Sequence, residues 1–194
     1  MKIQFKHQGF QQAAAQAVVE VFQGQPRQDS FAYRMDEGKG VLALGMQGFR
    51  NHDIVLSDDT LTENIRAVQG PQDLPLIDRV ARDTSGTLAL NIEMETGTGK
   101  TYVYLRTIHE LHQCYGWKKF IIVVPSGAIR EGVLKNLAIT REHFAELYNK
   151  PEMDYCVWDS KKTGQAREFA TNDTLQIMVI TIDSFAKAQN VMNR

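Results

Sequence analysis

The sequence predicts an α/β protein in which helices flank a parallel β-sheet, and three observations carry this prediction. From residue 87 onward, strand-like apolar runs alternate with helical patterns, an order typical of parallel sheets with crossover helices. Residues 120–124 form a continuous apolar run that ends at Pro125, as expected of a strand buried on both faces. A glycine-rich turn at residues 95–101 separates a predicted strand at 88–94 from an amphipathic helix.

Composition sets the broad limits. The chain has 194 residues, of which 43% are hydrophobic, and its 22 Lys and Arg against 23 Asp and Glu leave a formal net charge of −1. This length suits one domain or part of a larger one. The charge balance excludes a globally basic nucleic-acid binder but allows a local basic groove. No apolar run approaches the ~20 residues of a membrane helix. We therefore expect a cytoplasmic protein whose two cysteines, Cys114 and Cys156, are free thiols.

The N-terminal part is predicted to begin with a helix and to continue as an irregular insertion. The first helix presents one apolar face, which contains Ala14, Ala15, Val18, Val21 and Phe22. Between residues 27 and 86 we predict a hairpin, with a strand from residue 31, a turn at 36–40 and a second strand at 41–44. A capping box from Thr60 to Glu63 predicts a short helix. We take residues 1–86 as a helix plus insertion and residues 87–194 as the first part of an α/β lobe.

In the C-terminal part, the predicted strands alternate regularly with predicted helices. The helix after the glycine turn carries apolar residues on one face from Tyr104 to Tyr115. A second helix follows Pro125 with Ser126 as its N-cap, and a shorter helix is expected at 140–148. Residues 155–158 and 175–180 complete the predicted strands.

Residues 95–101, with the sequence ETGTGKT, are the most informative stretch of the chain. Glycines let the backbone approach a polyphosphate closely, and the following helix adds free N–H groups and its positive dipole end. In such a loop the lysine, here Lys100, reaches the β- and γ-phosphates, and the hydroxyl of Thr101 binds Mg²⁺. Met94 stands where the generic pattern has glycine, which favours motor-type ATPases over small kinases and GTPases. The alternative is a chance glycine turn between a strand and a helix.

Around this loop the chain resembles superfamily 2 helicase motors, and more closely the Res subunits of type III restriction-modification enzymes. The resemblance is strong from residue 92 to 133, is joined by segments at 10–26 and 180–185, and is weak between 27 and 60. It implies a RecA-like P-loop NTPase lobe with ATP and Mg²⁺ as cofactors. It also implies double-stranded DNA and a methyltransferase (Mod-type) subunit as partners.

The resemblance assigns roles to matched residues. Gln11 corresponds to the Q-motif glutamine, whose amide can donate to and accept from an adenine edge; Gln8 is the rival candidate. The predicted nucleotide-binding residues are Gln11, Thr96, Gly97, Thr98, Gly99, Lys100 and Thr101. The predicted DNA-backbone contacts are Pro125, Ser126 and Arg130 in motif Ia, and Thr181 and Ser184 in motif Ib. A serine at a helix N-terminus beside a guanidinium suits a phosphate contact, although a helix cap with a solvated arginine is the alternative.

The Asp-Glu motif that a motor of this kind needs for hydrolysis does not follow Lys100 in the sequence. A strand-like run ends instead in Asp183 and Ser184, and a serine cannot orient the attacking water. We therefore expect the first part of a motor lobe, cut before its catalytic carboxylates, with almost no ATP hydrolysis of its own.

The predicted function is that of the ATP-binding N-terminal part of a DNA-translocating type III restriction endonuclease subunit. Two alternatives stay open. One is another superfamily 2 DNA motor, such as a type I restriction or repair translocase. The other is a nucleotide-binding module without turnover.

Overall fold

The computed structural model describes residues 5–6, 8–28, 30–34, 47–158 and 163–186. In these ranges the chain is a mixed α/β protein, which confirms the predicted class. The helices are α1 (Gly9–Val21), α2 (Asp58–Gln69), α3 (Lys100–Tyr115), α4 (Gly127–Leu147), α5 (Thr163–Thr171) and α6 (Ile182–Phe185), with a 3-10 turn at Gly70–Gln72. The strands are β1 (Phe31–Arg34), β2 (Gln47–Arg50), β3 (Lys119–Val124), β4 (Met153–Val157) and β5 (Leu175–Thr181).

These elements form two compact units. The first contains described residues from 1–27 and 53–115, and the second contains those from 28–52 and 116–194. The first unit carries α1, α2, α3 and the glycine-rich turn, whereas the second carries the five described strands. The division into residues 1–86 and 87–194 stays a prediction.

The first unit is organised by α1, which packs against both α2 and α3. Ala15 and Val19 on α1 are buried. The Tyr115 hydroxyl at the end of α3 donates a 2.7 Å hydrogen bond to the Val19 carbonyl, and burial raises the pKa of this tyrosine to about 12. The Tyr115 ring also meets Phe22 edge to face, with 6.2 Å between ring centroids. This packing fixes α1 against the helix that begins at the glycine-rich turn.

The predicted capping box at the start of α2 is wrong by one turn. The helix begins at Asp58, and Ser57 is its N-cap. The Ser57 hydroxyl accepts a hydrogen bond from the Thr60 backbone N–H at 3.1 Å. Both Ser57 and Thr60 are good N-cap residues, so the local sequence offers two starts, and the structure uses the earlier one.

The strand predicted at residues 88–94 does not form. Leu88 makes only an isolated bridge to Arg82, and the residues from 89 to 94 belong to no described helix or strand. Ile92 is 50% exposed. Strand formation depends on a partner strand and on burial against neighbours, and neither is visible in a local apolar pattern. The predicted order of strand, glycine turn and helix is therefore confirmed only for the turn and the helix.

The second unit contains the parallel sheet, with the strand order β3-β5-β4. Residues 175–180 of the central strand β5 are all buried, as a strand covered on both faces should be. The same burial was predicted for residues 120–124, and that prediction is wrong. Within the described sheet β3 lies at an edge, and Ile121 and Val123 are each 42% exposed.

An antiparallel pair, β1 with β2, also belongs to the second unit. The described partner of β1 is Gln47–Arg50, whereas the hairpin was predicted with its second strand at 41–44. The predicted turn at 36–40 and strand at 41–44 lie outside the described residues. Asn51, just after β2, joins the pair to β3, because its side-chain oxygen accepts from the N–H groups of Lys118 and Lys119 at 2.8 Å each. Its amide donates to the Lys119 carbonyl at 2.8 Å.

Helix α4 runs without a break from Gly127 to Leu147, so the separate helix predicted at 140–148 is wrong. Thr140 is buried, and its hydroxyl donates to the Asn136 carbonyl at 2.8 Å. A threonine can satisfy its hydroxyl inside a helix in this way instead of capping a new one. Helix α5 was not predicted.

Candidate nucleotide-binding site

The glycine-rich turn of the first unit lies immediately before α3, whose first residue is Lys100. Glu95, Thr96, Gly97 and Lys100 are exposed, so the turn is open to solvent. Gly97 and Gly99 both have a φ of +85°, a conformation that residues with a Cβ rarely adopt. The two glycines therefore allow the backbone to turn sharply and present its amides at the N-terminus of a 16-residue helix.

The Glu95 carbonyl holds the turn together. It accepts a hydrogen bond from the Thr98 hydroxyl at 2.7 Å and another from the Lys100 ammonium at 3.0 Å. The lysine side chain thus folds back over the turn, which places its positive charge at the Glu95 carbonyl. An anion bound by these amides could take over the hydrogen bond that the ammonium gives to the carbonyl.

Gln11 of α1 contacts the turn directly. Its side-chain nitrogen donates to the Thr98 carbonyl at 2.9 Å. A Cβ on Gly99 would lie only 2.6 Å from that nitrogen, so a glycine here is what permits the close approach. Gln8, the rival candidate, is the N-cap of α1 and makes no side-chain capping bond. The structure therefore brings Gln11 to the predicted phosphate loop, 87 residues away in the sequence.

Thr101, the predicted Mg²⁺ ligand, is the second residue of α3 and is half-buried. Burial raises the pKa of Tyr104, one turn further along, and a hydrogen bond with the Thr101 side chain partly opposes this rise. Among the described residues, no cluster of three or more His, Cys, Asp or Glu side chains could hold a metal ion. A divalent cation at this turn would therefore need ligands from a bound phosphate as well as from Thr101.

An aromatic pair beside the turn was not predicted. The rings of Phe5 and Tyr102 stack with 5.9 Å between centroids and an interplanar angle of 24°. Burial raises the pKa of the Tyr102 hydroxyl, although interactions with Arg106 oppose the rise. Neither residue belongs to a local motif, and the two are far apart in the sequence, so sequence analysis offered no signal for this contact.

The predicted DNA-contacting residues lie in the second unit, near the carboxyl ends of the strands β3 and β5. Because Val124 of β3 is in register with Thr181 of β5, the residues that follow these two strands leave the sheet at the same end. Pro125 and Ser126 follow β3, and α6, which carries Ser184, follows β5. The structure thus brings the motif Ia and motif Ib candidates to the same end of the parallel strands.

Several of these candidate residues already have hydrogen-bond partners within the second unit. Ser126 is the N-cap of α4, and its hydroxyl accepts from the Ile129 N–H at 3.4 Å. The Arg130 guanidinium bonds to the carboxylate of Glu131 at 3.0 Å. The Thr181 hydroxyl donates to Ser184 at 2.9 Å.

Arg130 and Ser184 also line a common cavity of about 970 Å³. Asp154 and Glu168 line the same cavity. Carboxylates that line the same cavity as the guanidinium weaken its attraction for phosphate groups.

Within the described residues, no helix is both long enough and apolar enough to cross a bilayer.

The parallel sheet with its flanking helices defines an α/β protein, and its sequence places it in a helicase-like family. The chain belongs to the family of type III restriction enzyme Res subunits, whose sequence profile matches residues 9–194.

Three proteins illustrate this relationship. The type III restriction-modification enzyme EcoPI Res subunit of Escherichia phage P1 is 33% identical over 144 residues, which cover 72% of this chain and 14% of that protein. The EcoP15I Res subunit of Escherichia coli is 32% identical over 145 residues, with the same coverage. The StyLTI Res subunit of Salmonella typhimurium strain LT2 is 48% identical over 69 residues, 34% of this chain and 7% of that protein. The matches thus span at most 14% of the relatives' length.

Proposed function

We propose that residues 95–101 bind the triphosphate of ATP together with Mg²⁺. We further propose that the chain is the ATP-binding N-terminal part of a DNA-translocating type III restriction endonuclease subunit. The observation that supports this most directly is the exposed glycine turn at the start of α3, with the Lys100 ammonium folded onto it. Family membership supports the wider role, since the relatives are Res subunits of type III restriction-modification enzymes.

The residues of the turn fit a polyphosphate. The amides of residues 96–100 and the positive end of α3 would surround the phosphate oxygens. Lys100 would neutralise charge on the β- and γ-phosphates, and Thr101 would bind Mg²⁺ through its hydroxyl. The bond between Gln11 and the Thr98 carbonyl leaves the side-chain oxygen of Gln11 as an acceptor for a base amino group. Hydrolysis of the bound ATP would supply the free energy for movement on DNA.

The partners of the whole protein follow from the family and belong to this proposal. They are double-stranded DNA and a Mod-type methyltransferase subunit. The whole protein would act on them in the cytoplasm. In this chain the DNA backbone would be contacted by Pro125, Ser126, Arg130, Thr181 and Ser184. Their shared position at the carboxyl ends of β3 and β5 supports this. Their chemistry supports it too, since serine and threonine hydroxyls, helix N-termini and arginine are usual phosphate ligands.

Titration of the chain with a fluorescent, non-hydrolysable ATP analogue tests the nucleotide site. We expect binding that requires Mg²⁺ and that unlabelled ATP competes away, whereas AMP competes poorly because it lacks the β- and γ-phosphates that Lys100 would contact. Binding that is unchanged in EDTA, or that AMP and ATP compete equally, would contradict a triphosphate site at this turn.

Gln11→Ala is expected to reduce the preference for ATP over GTP by roughly threefold to tenfold, the range of one or two neutral hydrogen bonds. The side chain lies against the phosphate loop and would read the adenine edge. Competition binding with the two nucleotides measures the preference.

Gln8→Ala is the matched control, because it removes the rival glutamine on the same helix. A changed preference in Gln8→Ala and an unchanged one in Gln11→Ala would reverse the assignment.

A further inference from the structure

The antiparallel pair of β1 and β2 in the second unit carries an aromatic face that belongs to neither proposed site. Phe31 and Tyr33 are two residues apart on β1, so their side chains lie on the same face of the pair. Phe31 is 47% exposed and Tyr33 is 36% exposed. Opposite them on β2 are Arg50 and Gly48, respectively. We call the surface formed by Phe31, Tyr33, Gly48 and Arg50 the aromatic platform.

Gly48 lets the Tyr33 ring lie across the neighbouring strand. A Cβ on Gly48 would lie only 2.5 Å from Cζ of the Tyr33 ring. The ring therefore occupies the space that a side chain on β2 would fill, and Gly48 is buried. An aromatic residue that covers a glycine of the next strand is a stabilising cross-strand pair. The pairing fixes the tyrosine ring against the backbone while part of the ring stays exposed.

Phe31 is held by two neighbours that add positive charge. The Arg50 guanidinium lies over the Phe31 ring, 5.0 Å from its centroid, which is a cation–π contact. The His52 ring meets Phe31 edge to face, with 6.2 Å between centroids. The two described strands, with the sequences FAYR and QGFR, contain two arginines and no Asp or Glu. The aromatic platform thus combines exposed rings with positive charge.

This combination suits unpaired nucleobases on a phosphate backbone. Bases stack on aromatic side chains and on guanidinium planes, and arginine also binds phosphate oxygens. Rings two residues apart on a strand are separated by about 6.7 Å, roughly twice the 3.4 Å rise between stacked bases. Each ring can therefore take its own base from a strand whose bases are splayed apart. Bases inside a duplex are stacked on each other and are not accessible in this way.

We propose that the aromatic platform binds single-stranded DNA, with bases stacked on Phe31 and Tyr33 and a phosphate bound by Arg50. The platform uses none of the residues proposed to bind nucleotide or duplex DNA. The proposal rests on the function proposed above only for the choice of DNA over RNA, because stacking is common to both.

Fluorescence anisotropy with a labelled oligothymidylate of about 12 nucleotides tests the proposal. Binding to the 194-residue chain is measured at low salt without ATP. We expect an abasic strand with the same number of phosphates to bind at least about tenfold more weakly, since each stacked base contributes roughly fivefold to a hundredfold. An oligouridylate of the same length should bind no more tightly than the DNA. Equal binding of the abasic strand, or tighter binding of the RNA, would overturn the proposal.

Two double variants locate the binding. Phe31→Leu with Tyr33→Leu keeps apolar side chains on the strand pair but removes both rings, and should weaken oligothymidylate binding at least about tenfold. Phe31→Tyr with Tyr33→Phe keeps both rings and should bind as the unchanged chain does. Circular dichroism of both variants checks that the fold is retained. Wild-type affinity in the leucine variant would rule out stacking on these rings.

Arg50→Gln tests the phosphate contact. The logarithm of the binding constant falls linearly with the logarithm of the salt concentration, and the loss of one contact to a single strand should reduce this slope by about 0.7. Arg79→Gln is the matched control, because it removes an exposed arginine from the first unit, and its slope should equal that of the wild type. The wild-type slope in Arg50→Gln would contradict the phosphate contact.

A duplex probe separates this proposal from the proposed function. Binding of duplex DNA through the residues that follow β3 and β5 should be the same in the leucine variant and in the unchanged chain. A chain that binds the single strand but no duplex would contradict those contacts and still support the aromatic platform. Equal loss of single-strand and duplex binding in the leucine variant would show no preference for unpaired bases and would overturn the proposal.

Discussion

Replacing Lys100 by alanine is expected to weaken Mg²⁺-dependent ATP binding by roughly tenfold to a hundredfold, the range of one charge-assisted hydrogen bond. The Lys100 ammonium already lies on the glycine-rich turn, 3.0 Å from the Glu95 carbonyl. It is therefore placed to move to a phosphate oxygen without reorganisation of the backbone. Its loss removes the one positive side chain of residues 95–101.

Lys135→Ala is the matched control, because it removes an exposed lysine from α4 in the other unit. Its affinity for the ATP analogue should equal that of the wild type. Lys100 is itself exposed, so Lys100→Ala should unfold at nearly the same temperature as the unchanged chain. Equal ATP affinities for the wild type and Lys100→Ala would remove the lysine from the site.

Gly116→Ala is expected to lower the free energy of unfolding of the second unit by about 3–5 kcal/mol, a range reached only by severe packing or backbone conflicts. Gly116 has a φ of +78°, which is strained for any residue with a Cβ. An added Cβ would also lie 2.1 Å from the backbone oxygen of Gln28. The Gln28 oxygen belongs to the backbone and not to a flexible side chain, so relief of this contact requires the backbone to move.

Urea denaturation followed by circular dichroism measures this loss. Gly132→Ala provides the control, because this glycine lies within α4 and a Cβ on it would meet nothing within 4 Å. Alanine favours a helix over glycine by about 0.8–1 kcal/mol, so this variant should be as stable as the wild type or slightly more stable. If Gly116→Ala unfolds at the wild-type urea concentration, the close approach to Gln28 is not present in solution.

The elements with strong local patterns were predictable from the sequence. Helices α1 and α3, the first part of α4, and strands β4 and β5 lie close to where periodicity and apolar runs place them. These elements share a pattern that extends over at least four residues and agrees with their final environment.

The predictions that were wrong concern strand pairing and burial, which depend on contacts with distant segments of the chain. Residues 88–94 have the composition of a strand yet pair only through Leu88. Residues 120–124 look like a central strand, but β3 lies at the edge of the described sheet. A local sequence reports the tendency of a segment to enter a sheet, whereas its position in that sheet depends on segments far along the chain.

The candidate site divides in the same way. The glycine turn and Lys100 form a contiguous motif and were recognisable directly. Gln11 was selected by family resemblance, and the structure adds its contact with the Thr98 carbonyl. The stacking of Phe5 on Tyr102 had no sequence signal, because no spacing rule links residues so far apart. The roles of all these residues in nucleotide binding stay predictions.

Two hydrogen bonds, from Lys100 to the Glu95 carbonyl and from Gln11 to the Thr98 carbonyl, preorganise the glycine-rich turn. An incoming anion meets a backbone that is already ordered and loses little conformational entropy on binding. Only the bond from Lys100 has to be exchanged for a bond to the anion, since the bond from Gln11 is kept in the proposed complex. The Lys100 contact should therefore add little to the enthalpy of anion binding measured by calorimetry, because it replaces a hydrogen bond that exists already.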